Sequence, residues 1–117
     1  MEIAAADELQ TTFWPGRTAD GDDDWKLRGE VWERADVMLG GSDAGAHLDR
    51  MLGAPYPTRF LADTLHGRRL TSLERAVHLM TDVPARLFGL RGRGRVGVGY
   101  RADLVLFDAD AIGSGPA

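Results

Sequence analysis

Val37-Met38-Leu39-Gly40-Gly41-Ser42-Asp43-Ala44-Gly45-Ala46-His47 is the stretch on which the fold reading turns. A short apolar run that breaks into glycines and then Ser-Asp is what a buried parallel strand looks like where it runs out into a site-forming loop. The reading that follows is α/β, with chemistry placed at the strand's C-terminal end.

The flanks agree with that architecture. Upstream, Trp25 to Arg34 follows the acidic run Asp20-Gly21-Asp22-Asp23-Asp24, which favours a helix start through the dipole; Trp25, Leu27 (more loosely), Val31 and Trp32 are candidates for its inner face. Residues 2–10 favour a further helix, and Thr11-Thr12-Phe13-Trp14 has β propensity cut off by Pro15-Gly16. The acidic run lacks the spacing and closing glutamate of a calcium loop, so it reads as a solvated loop and helix entry.

Downstream, a helix is expected over 58–66, with Phe60, Leu61 and Leu65 apolar and Gly67 as its C′ residue. Thr71-Ser72-Leu73-Glu74 fits a capping box, and Leu73, Ala76, Val77 and Met80 follow at helical spacing. Thr81 or Asp82 caps a short helix with Pro84 near its first turn, Leu87 and Phe88 facing inward, and Gly89 as its stop. Glycine-rich turns then lead to Ala102-Asp103-Leu104-Val105-Leu106-Phe107-Asp108, expected to be a strand, and residues 109–117 are expected to fray.

Composition bounds the function. The chain has 117 residues, 44% of them hydrophobic and 27% charged, with a formal charge of −4 and no cysteine. That balance excludes a disordered chain, a disulfide scaffold and thiolate metal sites. The acidic surplus argues against nucleic acid and anionic membrane surfaces as partners. No apolar run approaches the roughly 18 residues of a membrane span, and the first residues lack a signal peptide's pattern, so a cytoplasmic location is expected. Fifteen glycines, about 13% against a usual ~7%, mark turns or close approach of backbone to a ligand.

Few side chains qualify for chemistry. Gly92-Arg93-Gly94-Arg95-Val96-Gly97 matches the dinucleotide fingerprint in letters only, since a helix precedes it and a strand follows, the reverse of what the fingerprint needs. A turn is the better reading. His66 and His78 sit on expected helices as ordinary boundary residues, and no two histidines have metal-pair spacing. Asp43 is the strongest single candidate, with His47 four residues on in the same loop. A carboxylate at a strand end can contact a metal or accept a proton from water; it can equally accept backbone N–H groups in an Asx-turn. On the residues alone the two readings of Asp43 stand level.

Gly41-Ser42-Asp43-Ala44-Gly45-Ala46-His47, Thr71-Ser72-Leu73-Glu74-Arg75-Ala76, Thr81-x-x-Pro84-Ala85-x-x-Phe88-Gly89-Leu90, Arg93-Gly94, Gly99 and Ala102 to Asp108 occur in a fixed order. Together they resemble the C-terminal end of the amidohydrolase superfamily, in the branch similar to N-acyl-D-amino-acid deacylases (D-aminoacylases). The likeness covers residues 36–112, and 1–35 more loosely. It implies a C-terminal fragment of a (β/α)8 metal-dependent hydrolase barrel, with residues 1–90 as its last βα units. Residues 91–112 become a strand segment of the small β-domain, and 113–117 a frayed tail. It also implies that Asp43 is the catalytic general base and a contact of the metal, usually zinc, and that His47 orients loop or substrate.

The same resemblance implies an N-acyl amide as small-molecule substrate and hydrolysis of a non-peptide C–N bond. The family's H-x-H-type metal motif has no counterpart here, and a barrel of this kind takes about 250 residues. The expectation is therefore a segment inactive alone and without its own zinc, forming a homo-oligomer or associating with the missing barrel portion. One half of a split enzyme and a non-catalytic binding or structural module are the alternatives.

Overall fold

A computed structural model describes Ala6, Glu8, Gln10 and residues 21–42 and 54–113. Four helices form among them: α1 (Asp22–Trp32), α2 (Tyr56–Leu65), α3 (Leu73–Met80) and α4 (Asp82–Leu87). No helix among the described residues is long and apolar enough to cross a membrane.

α1 starts at Gly21, whose N–H donates to Asp24 Oδ2 at 3.2 Å, with three aspartates in the first turn where the dipole favours them. Its inner face is narrower than the apolar pattern implies. Leu27 is 59% exposed and Val31 is exposed, while Gly29 is buried close against Leu70. Trp32 carries the packing, edge-on to Phe60 with ring centroids 4.9 Å apart. Trp25 is instead covered by the guanidinia of Arg28 and Arg68, 4.2 and 3.8 Å from its ring centroid.

Phe60 and Leu61 of α2 and Ala76 and Leu79 of α3 form the core. Around them pack Trp32, Leu39, Leu73, Met80, Phe107 and Ile112, so the core collects segments from most of the described chain. α2 begins two residues earlier than expected because Pro57 sits in its first turn, where a missing N–H costs nothing. Gly67 follows its C-cap as expected, but the reason is room: a Cβ there would lie 2.9 Å from Asp63 Cα. The left-handed residue of this exit is Arg69 (φ 53), whose N–H donates to the Asp63 carbonyl at 3.1 Å.

The expected cap of α3 moves by one residue. Ser72, not Thr71, accepts the Arg75 N–H at 3.1 Å, which leaves the Thr71 hydroxyl to donate to Glu33 Oε1 at 2.7 Å. Arg75 then reaches back to α1: its Nε donates to the Trp32 carbonyl at 2.9 Å and its Nη2 to the Arg34 carbonyl. A cation on the last carbonyls of α1 satisfies orphan acceptors and complements the helix dipole. Beyond it, Arg34 and Asp36 make a two-pronged exposed pair, which holds the Asp36 carboxyl below its usual range.

α4 ends in a Schellman motif. Gly89, at φ +65, donates to the Arg86 carbonyl, and the Leu90 N–H donates to that of Ala85 at 2.8 Å. The stop at Gly89 is as the sequence predicts, but Leu87 and Phe88 are about two-thirds exposed rather than inward. The buried residues of this six-residue helix are instead Asp82 and Ala85.

Neither expected strand forms among the described residues. Residues 37–42 form no regular element, and Leu39 is held by its N–H to the Leu79 carbonyl at 3.3 Å and by the core. Residues 101–107 form none either, with Leu106 fully exposed and only Phe107 turned to the core. A strand is stabilised by its partners' N–H and C=O groups, and an apolar run that lacks them forms no ladder. The tail is tied down as far as Ile112. Asp108 turns the chain by accepting the N–H groups of Asp110 and Ile112, and His66 Nε2 donates to the Ala109 carbonyl at 2.7 Å. Fraying is therefore not seen at 109–112 as expected; residues 114–117 lie outside the described residues.

Candidate functional site

The two site residues expected from sequence, Asp43 and His47, lie outside the described residues. What is described is the approach to them: Leu39 anchored on α3, then Gly40, Gly41 and Ser42, all exposed. Nothing lies within 4 Å of a Cβ built on Gly40 or Gly41, so no contact in the described residues forces glycine there.

The other histidines have structural positions. His66 ties the tail to α2 through the Ala109 carbonyl, as a boundary histidine does. His78 Nδ1 stands 3.4 Å from Asp82 Oδ2, one turn away on the next helix. Among the described residues no group of three or more His, Cys, Asp or Glu side chains converges on a point that a metal could occupy. The described donor set therefore does not fit a zinc ion.

The most developed polar constellation surrounds Asp82, which is only 6% exposed. Its carboxylate accepts from Arg86 Nη2 one turn along α4 and from both Nε and Nη2 of Arg95, the latter at 3.0 Å. This pairing holds the Arg95 guanidinium above its ordinary pKa, first through the hydrogen bond to Asp82 and then through its charge. Arg93 pairs separately with Asp103. The Gly92–Gly97 run is thus a turn, as its context implies; Arg95 ties it to α4 and Arg93 ties it to Asp103. Sequence reasoning missed this cluster. The signal was present in His78, Asp82 and Arg86 at i, i+4 spacing, but the burial that makes Asp82 a hub has no mark in the sequence.

The Amidohydrolase family profile matches residues 2–117. The chain belongs to the amidohydrolase family. An N-acyl-D-glutamate deacylase from Alcaligenes xylosoxydans xylosoxydans is 51% identical over 55 residues, 47% of this chain and 11% of that protein. From the same organism, an N-acyl-D-aspartate deacylase is 49% identical over 51 residues (44% and 10%), and a D-aminoacylase is 44% identical over 75 residues (62% and 15%). The chain thus aligns with no more than 15% of the length of these relatives. No solved structure gives a significant match. Membership of the amidohydrolase family implies a (β/α)8 hydrolase fold and a metal cofactor in the complete enzymes.

Proposed function

We propose that this chain is the C-terminal part of a metal-dependent hydrolase of N-acyl amides, with N-acyl-D-amino acids as the substrate class. The observation that carries the reading is its 44–51% identity to three proteins named as deacylases or aminoacylase of that class. In this reading residues 1–90 are the last βα units of the barrel, 91–112 a strand segment of the small β-domain, and 113–117 its tail.

Asp43 then has the catalytic role. It takes a proton from the water that adds to the acyl carbon and returns it to the nitrogen as the C–N bond breaks, giving a carboxylic acid and an amine. Asp43 would also help to hold the metal, zinc in this reading, which would supply activation of that water. His47 orients the loop or the substrate. The test is a chimera of the D-aminoacylase in which the homologous C-terminal segment is replaced by residues 36–112. Retained hydrolysis of N-acyl-D-amino acids supports the proposal; a folded, zinc-loaded chimera without hydrolysis overturns it.

The chain alone is expected to be inactive and to associate with itself. Val96, Val98, Val105 and Leu106 are each more than four-fifths exposed, a run of apolar surface and unpaired backbone of the kind that templates association. Light scattering on the purified chain should give at least twice the 12.7 kDa mass, and dialysis should leave less than one equivalent of zinc. A 12.7 kDa species at high concentration, or a retained equivalent of zinc, contradicts the expectation.

A further inference from the structure

We propose that the cleft between α4 and the turn at 91–100 binds a small dianionic oxyanion of the phosphate class. The cleft has a volume of ≈ 390 Å³, and Asp82, Arg86, Arg91, Arg93, Arg95 and Tyr100 line it. That size suits a small molecule. In a chain whose formal charge is −4, four arginines are gathered here within ten residues. They face two carboxylates, Asp82 and Asp103, which leaves two positive charges uncompensated. Two is the charge of a phosphate or phosphomonoester dianion.

The guanidinia are held in place before any ligand arrives. Asp82 fixes Arg95 through a two-pronged pair and Arg86 through one nitrogen, and Asp103 fixes Arg93 through one. These bonds use only part of the five N–H donors that each guanidinium carries. The Arg91 side chain has no hydrogen bond or ion pair among the described residues. Preset donors lose little freedom on binding, and guanidinia pair with oxyanions in a directional, two-pronged manner. Tyr100 also lines the cleft, and its side chain carries a neutral hydroxyl donor.

The experiment is a titration of the ¹⁵N-labelled 117-residue chain with inorganic phosphate at constant ionic strength, following the arginine Nε–Hε signals. A parallel arm uses glycerol 3-phosphate, to separate free phosphate from a phosphoryl group on a larger molecule, and a third uses acetate. Saturable shifts of the Arg86, Arg93 and Arg95 signals are expected with either phosphate species, and weaker binding with acetate. Arg91→Gln should weaken binding about tenfold, the scale of one charge-assisted hydrogen bond. Asp103→Asn, which frees Arg93, should tighten it about threefold.

Arg59→Gln, on exposed α2 surface, changes the net charge equally and should leave affinity within about twofold. The three substitutions fall on exposed side chains, and amide spectra check that the fold persists. Shifts that grow linearly without saturation, acetate binding as well as phosphate, or equal weakening by Arg59→Gln and Arg91→Gln would overturn the proposal.

Discussion

Gly94→Ala is expected to destabilise the chain by about 3 kcal/mol, read as a lower urea midpoint at unchanged slope. Two independent costs meet at this position. Its φ is +80, a conformation that costs an L-residue with a Cβ about 1–2 kcal/mol. A Cβ would also lie 2.7 Å from both the Thr81 carbonyl oxygen and Ala85 Cβ, and 3.0 Å from Asp82 Cα. Two of those three atoms are backbone at the start of α4, so the neighbours cannot rotate away and the turn itself must lift. Lifting it moves Arg95, the neighbouring residue, off Asp82 and leaves a buried carboxylate with a weaker partner set.

Gly89→Ala separates the two costs. Gly89 has φ +65, but nothing lies within 4 Å of a Cβ there. It should therefore lose only the conformational part, about 1 kcal/mol. Equal losses at the two positions would mean that the close approach of residue 94 to α4 contributes nothing.

The contrast between these glycines marks what a sequence discloses. The stop at Gly89 is legible because a helix exit is local: the acceptors it satisfies lie within one turn of it. The caps of α3 and the first turn of α2 are legible for the same reason, with an error of one or two residues where Thr71 and Ser72 offer the same oxygen. Gly94 reads only as part of a turn, because the backbone it must approach is α4, which precedes it by about ten residues. Asp82 is harder still: its charge suggests a solvated face, and only the packed turn reveals that it is buried beneath two guanidinia.

The strands show the opposite limit. Val37 to Gly41 and Ala102 to Asp108 carry the apolar pattern of buried strands, and that pattern encodes the covering of both faces rather than a local bond. Among the described residues nothing supplies a ladder, so the pattern is present without the strand. The same reasoning explains how family membership is readable where architecture is not. Ordered short motifs survive in a segment that aligns with at most 15% of its relatives' length, while a barrel needs strands from the whole.

Asp43→Asn, introduced into the chimera of D-aminoacylase with residues 36–112, is expected to lower kcat by about 10²–10⁴-fold, the range for loss of a general base. Asparagine keeps the size and the acceptor oxygen of aspartate but cannot take a proton at neutral pH. If Asp43 is the proton acceptor, the loss falls on kcat and the acid limb of the kcat/KM profile that reports its ionisation disappears. If Asp43 only accepts backbone N–H groups in an Asx-turn, asparagine serves almost as well, because both residues favour that turn. Activity then stays within about threefold and the acid limb survives.

His47→Gln provides the scale for a residue that positions rather than transfers a proton. Its loss should be smaller, about tenfold, and should leave the shape of the pH profile unchanged. An Asp43→Asn chimera as active as its parent would end the catalytic assignment of this loop even if the parent chimera hydrolyses N-acyl-D-amino acids. An inactive but folded and zinc-loaded parent would instead end the assignment of substrate class. The two failures are distinguishable because one depends on a carboxylate in a Gly-Ser-Asp loop and the other on the whole segment from 36 to 112.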